Sequence, residues 1–157
     1  MSRRRQATKR PLAKDGKYQN TLVARLVNTV MCSGKKSTAQ RIVYGAFDTI
    51  SEKNPASNPI DILQRAVDNA KPRIETKPRR VGGATYQVPL EIPSDRQAAL
   101  ALRWIVDFAD AKKGMPMKAA LATEILEAYQ GQGNAIRKRD EVHKMAQANK
   151  AFAHFRW

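Results

Sequence analysis

Hydrophobic positions recur along most of the chain with the three-to-four-residue spacing of amphipathic helices. The first stripe begins after Asn20, a favourable N-cap residue, and we expect its helix to end near Gly34. Two further stripes begin near Ser37 and at Asn58, and prolines follow each of them. The spacing therefore predicts three successive helices within residues 20–71.

The helical period disappears between residues 73 and 92. β-Branched and aromatic residues there flank Gly82-Gly83, a pattern typical of a two-stranded hairpin with a tight turn. Pro78 and Pro89 have no N–H group to donate to a ladder, so we expect each to face outward from the edge of the ribbon.

Three more helical stripes lie within residues 94–157. The fourth helix is expected to begin with Ser94 as its cap, the fifth to run from about Pro116 to Tyr129, and the sixth to start near Asn134 with an unusually polar surface. The chain is thus predicted to be one mainly α domain of 157 residues, a six-helix bundle with an extended two-stranded β-hairpin arm between helices three and four. Residues 1–17 precede it as a basic, flexible arm.

The net charge of the chain indicates what kind of partner it binds. The chain has 29 Lys and Arg against 14 Asp and Glu, a net charge of +15, which implies a polyanionic partner. The excess is +6 in residues 1–17, +4 in 18–41, +3 in 71–93 and +4 in 135–157, whereas the stretches between are neutral or slightly acidic. Positive charge therefore concentrates on a tail, a helix turn, the hairpin and the last helix.

Catalytic and metal chemistry find little support in the sequence. The single cysteine, Cys32, is expected to lie buried on a helical stripe, and a nucleophile–base pair with the distant His143 is a weak alternative. The stretch from Ser33 to Lys36 lacks the glycine-rich lead and the strand of a phosphate-binding loop. We expect no enzyme activity, no metal site and no cofactor.

Targeting signals are equally weak. No apolar run reaches the ~18 residues of a membrane-spanning helix, and no apolar region follows the basic N-terminus as in a secretory signal. The basic stretch is short and lacks the Ser-rich amphipathic pattern of a transit peptide. These features favour an intracellular, soluble chain.

Three clusters of basic residues are candidate contacts for nucleic acid. Lys35 and Lys36 lie at a helix–helix turn beside a helix N-terminus, where phosphates bind readily, and Arg41 follows one turn later. Basic side chains at positions 77, 79 and 80 precede the hairpin turn. Tyr86 follows it, placed either to stack on a base or to pack across the ribbon on a β-branched neighbour.

The third cluster, Arg137-Lys138-Arg139, occupies nearly a full helical turn, so its members cannot all face one core. Cations at a helix N-terminus also oppose the helix dipole, which favours an external anion.

Several blocks of sequence together resemble the family of small-subunit ribosomal protein seven in its bacterial and organellar form. The blocks are Gly34-Lys35-Lys36, the stretch from Arg79 to Pro89, Ser94-Asp95-Arg96 with Leu102 to Val106, and Ile136 to Arg139 continuing through Ala148 to His154. The resemblance covers essentially the whole chain. One departure is Asp15-Gly16-Lys17-Tyr18, where the family usually has Asp-Pro-x-Tyr; this change makes the entry into the first helix more flexible and adds a positive charge.

The resemblance implies a structural constituent of the small ribosomal subunit. Such a protein is the primary binder of the 3′ major domain of the rRNA, nucleates assembly of the subunit head, and lies near the exit tRNA site and the mRNA path. Its partners are rRNA, exit-site tRNA, mRNA and neighbouring proteins of the head and platform such as proteins nine and eleven, with no membrane. A bacterial cytoplasmic ribosome is favoured over an organellar one.

The resemblance and the charge pattern together give two sets of expected contact residues. The rRNA contacts are Arg3, Arg4, Arg5, Lys9, Arg10, Lys35, Lys36, Arg41, Lys77, Arg79, Arg80, Tyr86 and Arg96. The residues on the tRNA and mRNA side are Arg80, Arg137, Lys138, Arg139 and Lys144. A DNA-architectural protein with a basic β-arm is the alternative that composition and period allow, although the hairpin tip lacks the apolar wedge needed to kink DNA.

Overall fold

A computed structural model describes residues 10–155 of the chain. The expected contacts Arg3, Arg4, Arg5 and Lys9 lie outside the described residues.

The described chain forms six α-helices, one β-hairpin and a short C-terminal 3₁₀ segment. In chain order these are α1 (Thr21–Val30), α2 (Lys36–Lys53), α3 (Pro59–Ala70), β1 (Ile74–Val81), β2 (Ala84–Glu91), α4 (Ser94–Asp110), α5 (Met117–Tyr129), α6 (Asn134–Ala148) and the 3₁₀ segment (Lys150–Phe155). The predicted mainly α architecture, with the hairpin between helices three and four, is confirmed.

Two helices begin as the sequence predicts. The Asn20 carboxamide oxygen accepts a hydrogen bond of 2.7 Å from the backbone N–H of Leu22, and Asn58 accepts one of 3.0 Å from Ile60. Each bond satisfies one of the N–H groups that a helix start leaves without an internal partner. Pro59 follows Asn58 at the first helical position, where its missing N–H costs nothing.

The prediction that the first helix ends near Gly34 was wrong. Helix α1 ends at Val30, and Met31 turns to an extended conformation. Ser33 and Gly34 then adopt left-handed conformations, with φ of 51° and 74°, inside the turn to α2. Cys32 is consequently exposed in this turn, so the expectation that it lies buried on a helical stripe was also wrong.

The predicted cap of the fourth helix is displaced by one residue. Pro93 is the N-cap, and its carbonyl accepts hydrogen bonds of 3.0 Å from the N–H groups of Arg96 and Gln97. Ser94 is therefore already inside the helix, because the extended conformation that proline prefers suits the cap position.

The core lies where α5 packs against α2, α3 and α4. Its largest fully buried side chains include Phe47, Leu63, Leu102, Ile105 and Leu121. Burying a side chain of this size contributes about 1.5–3 kcal/mol relative to leaving it in water. The bundle is thus held by apolar packing that involves none of the predicted contact residues. Among the described residues, no helix combines the length and the apolar character that crossing a membrane requires.

Candidate nucleic-acid interface

The hairpin is closed by a two-residue turn at Gly82 and Gly83, whose φ angles are 57° and 92°. Left-handed conformations at both central positions give a turn whose twist matches that of the strands, and glycine adopts them without steric cost. Along an antiparallel ladder, hydrogen-bonded pairs of residues alternate with non-hydrogen-bonded pairs, and Val81–Ala84 next to the turn is a hydrogen-bonded pair. Pro78 and Pro89 both lie in non-hydrogen-bonded pairs. Their nitrogens face outward, as predicted, and the ribbon stays continuous to its basic tip.

Three cations line the strand that leads to this tip, in different states. Arg80 is exposed and has no side-chain partner within residues 10–155. Lys77 lies 3.4 Å from a carboxylate oxygen of Glu75. Arg79 is half-buried and pairs with Tyr86 in the strand register. Arg80 is thus the hairpin cation presented most openly to a partner.

Arg96 is committed to a contact within the chain. Its guanidinium donates hydrogen bonds through Nε and Nη2 to the carboxylate of Glu75, at 3.0 Å for the shortest of each. Burial alone would raise the pKa of Glu75, but the hydrogen bonds and charges of Arg96 and Lys77 outweigh it and lower that pKa. Arg96 therefore braces the base of the hairpin against α4, and its positive charge is already balanced.

The turn between α1 and α2 presents the second basic cluster. Lys35, Lys36 and Arg41 are all exposed, and none has a side-chain partner within the described part of the chain. The N–H of Lys36 donates a hydrogen bond of 2.8 Å to the carbonyl of Gly34, but no side chain caps the start of α2, so the N–H groups of Ser37 and Thr38 remain available to an anion. The left-handed conformation of Gly34 directs the chain into this helix start. The predicted combination of lysines and a helix N-terminus is thus assembled.

The basic residues of α6 divide between the surface and the interior of the chain. Arg137 and Lys144 are exposed without a side-chain partner in the described segment, and Lys138 lies 3.4 Å from Glu141. Arg139 is turned inward: its guanidinium donates to the backbone carbonyl of Asn69 on α3 and to the carboxylate of its neighbour in sequence. Arg139 therefore joins α6 to α3, a role that the sequence did not indicate.

Tyr86 makes a contact within the chain that the sequence did not indicate. Its ring centroid lies 5.1 Å from that of Phe152 and 5.2 Å from that of Phe155, both in the C-terminal 3₁₀ segment. The ring thus packs against an aromatic cluster from the end of the chain, and the residue opposite Tyr86 in the ribbon is Arg79.

Two buried acidic residues that sequence reasoning missed hold the basic segments in place. Glu124 is 0% exposed; it accepts a hydrogen bond from the N–H of Ala135 at the start of α6, and its other carboxylate oxygen lies 2.9 Å from Lys112. Asp15 accepts hydrogen bonds from the N–H groups of Lys17 and Tyr18 and from the hydroxyl of Tyr44.

The sequence gives only a weak indication that Glu124 and Asp15 are buried. Each acidic residue stands in a stretch rich in basic or apolar residues, which does not by itself indicate burial. Asp15 fixes the chain at a point inside the predicted flexible arm, and among the described residues Arg10 to Lys14 precede it.

The residues considered for catalysis are engaged separately. Cys32 lies exposed at the α1–α2 turn, whereas Nε2 of His143 on α6 accepts a hydrogen bond of 3.0 Å from the backbone N–H of Arg73. Within residues 10–155, no group of three or more His, Cys, Asp or Glu side chains is arranged to hold a metal ion.

Comparison with known proteins gives one consistent result. The chain matches the family described as ribosomal protein S7p/S5e over residues 2–150. It is 54% identical over 157 residues to small ribosomal subunit protein uS7 of Akkermansia muciniphila, with all of both chains covered. It is 56% identical over 155 residues to the protein of that name from Thermotoga maritima, with 99% of each chain covered, and 52% identical over 157 residues to that of Francisella tularensis, with both fully covered.

The fold and the exposed cations define a helical bundle that carries a basic hairpin, a class of protein suited to a polyanionic partner. With the comparisons added, the chain belongs to the ribosomal protein S7p/S5e family, as the resemblance in the sequence indicated. It is a ribosomal protein of the small-subunit type, and translation is the process in which such proteins take part.

Proposed function

We propose that this chain binds directly to the 3′ major domain of the small-subunit rRNA and nucleates assembly of the subunit head. The observation that carries the proposal is the separation of roles in the structure: an apolar helical core forms without the cationic turn, hairpin tip and α6 face, which leaves those groups at the surface for a partner. Membership of the ribosomal protein family supports rRNA as that partner.

The binding mechanism is phosphate neutralisation combined with recognition of RNA shape. Lys35, Lys36 and Arg41 would contact phosphates together with the N–H groups at the start of α2. Arg80 and Arg79, at the end of the ribbon, would reach phosphates away from the bundle, where the planar guanidinium can bond a phosphate in a bidentate manner. Displacement of the counterions condensed on the RNA supplies much of the affinity.

Most of the remaining residues expected to contact rRNA already have partners within the chain. Lys77 and Arg96 share the carboxylate of Glu75, so both would need to exchange that partner for phosphate. Tyr86 is engaged with the C-terminal rings. Arg10 is exposed and belongs to the basic arm, and we propose that it contacts rRNA.

A second set of basic residues, which shares Arg80 with the first, is proposed to lie near the exit tRNA site and the mRNA path. Arg80, Arg137 and Lys144 are the exposed residues of the set expected there. Lys138 shares its charge with Glu141, and Arg139 is bonded to α3. Neighbouring proteins of the head and platform, such as proteins nine and eleven, complete the proposed surroundings in a bacterial, cytoplasmic ribosome, where the chain acts as a structural component and not as an enzyme.

A direct binding comparison tests this function. Filter binding should give an affinity for head-domain rRNA well above that for duplex DNA of equal length at matched salt. A Lys35→Ala/Lys36→Ala variant should weaken rRNA binding, whereas Lys53→Ala/Lys113→Ala, which removes two exposed lysines from outside the basic clusters, should leave it almost unchanged. Equal affinity of the native chain for rRNA and DNA would instead favour the DNA-architectural alternative.

A further inference from the structure

The C-terminal 3₁₀ segment, Lys150–Phe155, packs mainly against strand β2 of the hairpin instead of against the helical core. Phe152 and Phe155 both contact the ring of Tyr86, and their own ring centroids are 6.5 Å apart with nearly parallel planes. All three rings are half-buried, and none belongs to the apolar core cluster of the bundle. The rings thus form a separate aromatic cluster outside the bundle.

The cluster lies farther toward the hairpin tip than the most buried part of β2. At the base of β2, Ile92 and Val88 are almost completely buried, with exposed fractions of 4% and 0%. Tyr86 is the next residue on the same face toward the tip, because side chains two apart in a strand point to the same side. In the register it pairs with Arg79, so the aromatic contacts act at the level of the hairpin cations.

Neither partner in this contact is stable on its own. An isolated two-stranded ribbon is marginal in water, and 3₁₀ helices longer than three or four residues are uncommon because their hydrogen-bond geometry is poor. Aromatic pairs at these separations contribute stabilisation beyond the area that they bury. The hairpin and the C-terminal segment therefore stabilise each other through the three rings.

We propose that the C-terminal segment is a clasp that fixes the direction of the hairpin before RNA is bound. In this assignment Tyr86, Phe152 and Phe155 are positioning residues: they hold the strand from which Arg79 and Arg80 project, and they reduce the ordering cost that RNA binding would otherwise have to meet. The inference rests on the proposed rRNA-binding function for its consequence, but the clasp itself can be measured in the free protein.

Direct stacking of Tyr86 on an RNA base is the competing role for this ring. The two roles differ in what they predict for the free protein. A clasp residue changes the order of the hairpin when RNA is absent, whereas a stacking residue changes only the affinity for RNA. The substitutions at Phe152 and Phe155 separate the roles further, because they remove the clasp and leave Tyr86 in place.

Limited trypsin digestion of the full-length free protein measures the clasp. In Phe152→Ala/Phe155→Ala and in Tyr86→Ala, the initial rate of cleavage after Arg79 or Arg80 should rise about tenfold over the native chain, since cleavage requires the ribbon to open. Tyr86→Phe, which keeps the ring, should retain the native rate. Met115→Ala, at another exposed apolar side chain in the α4–α5 turn, is the matched control and should also retain it.

Thermal unfolding followed by circular dichroism should show an unchanged helical transition in every variant, because the rings lie outside the core. Filter binding should show an affinity for head-domain rRNA reduced severalfold in the variants that open the hairpin and unchanged in Tyr86→Phe and Met115→Ala. Native cleavage rates in the Phe152→Ala/Phe155→Ala variant would overturn the clasp, and a Tyr86→Ala variant with native cleavage but weaker rRNA binding would assign that ring to stacking. Faster cleavage in a protein whose native form does not bind rRNA would support the clasp and contradict the proposed function.

Discussion

The carboxylate of Glu75 on β1 receives hydrogen bonds from both Nε and Nη2 of Arg96 on α4, which ties the base of the hairpin to the helix that follows it. The carboxylate is only 15% exposed, whereas the arginine is 51% exposed. A two-point contact of a planar guanidinium with a carboxylate fixes orientation as well as distance. This pair therefore fixes the base of the ribbon relative to the start of α4.

A double-mutant cycle with Glu75→Gln and Arg96→Gln should give a coupling energy of about 1 kcal/mol in urea unfolding at neutral pH, the upper end for a partly exposed pair. The same cycle on the more exposed pair Lys138–Glu141 should give about 0.3 kcal/mol, as is usual for exposed pairs on a helix. Equal couplings for the two pairs would contradict the special role of the Arg96 contact.

The pair also has a pH signature. Because the pKa of Glu75 in the folded chain lies below its ordinary value of 4.5, the contribution is fully present above pH 4.5 and is lost as pH falls through the lowered pKa. A cycle repeated across this acid range should therefore show the coupling decline toward zero.

His143 gives a second, separate pH dependence. Its Nε2 accepts a hydrogen bond from the N–H of Arg73, which requires the neutral ring. Burial lowers its pKa, the positive charges of Arg139 and Arg73 lower it further, and Asp140 opposes them. Since the folded pKa lies below the ordinary value of 6.5, the folded chain should lose stability as pH falls from 6.5 to the folded pKa, where the unfolded chain binds the proton more readily.

The His143 prediction is checked by the free energy of unfolding between pH 7 and pH 5. The native chain should lose stability over this interval, whereas His143→Gln should show a flatter profile, and NMR of the ring protons should place the pKa of the folded state below 6.5. A native profile that rises as pH falls would contradict the assignment.

A structural feature could be predicted from the sequence when the residues that form it are close together in the chain. Local features were accessible: Asn20, Asn58 and the Gly82-Gly83 turn act through neighbouring residues, and the structure confirms each. The end of α1 was misplaced because glycine at position 34 serves the turn after the helix and not its last residue.

Three internal contacts of the candidate residues could not be predicted, because each joins residues that are far apart in the chain or in different elements. Arg96 meets Glu75 across 21 positions, Arg139 meets Asn69 across 70, and Tyr86 meets Phe152 from another element. The sequence does not distinguish a basic side chain that is bonded within the chain from one that is free to bind phosphate. The charge pattern therefore predicts a candidate interface but does not show which of its cations are free to bind phosphate.

Three glycines differ in two properties that decide the cost of replacing them by alanine: the backbone φ angle and the space around a Cβ atom. Gly16 has open space at the Cβ position, and Gly114 has open space but a φ of 83°. Gly133, the N-cap of α6, has a φ of 93°, and a Cβ there would lie 3.0 Å from Cβ of Glu127. Alanine should thus be almost neutral at position 16, cost about 1 kcal/mol at position 114 and about 3 kcal/mol at position 133 in urea unfolding. A similar cost at 114 and 133 would mean that the neighbouring Glu127 shifts freely and crowding contributes nothing.

The salt dependence of rRNA binding tests the cationic surface itself. Replacing Lys35, Lys36, Arg79 and Arg80 together by Ala should flatten the plot of log affinity against log salt by about one unit for each phosphate contact that is lost. Circular dichroism should stay native, because none of the four side chains lies in the apolar core. Arg139→Ala provides the contrast: it breaks the bond to Asn69 and should lower stability while leaving the salt slope nearly unchanged. If the fourfold variant keeps the native slope, these residues do not touch phosphate. If Arg139→Ala flattens the slope, its guanidinium leaves α3 on binding and serves the RNA after all.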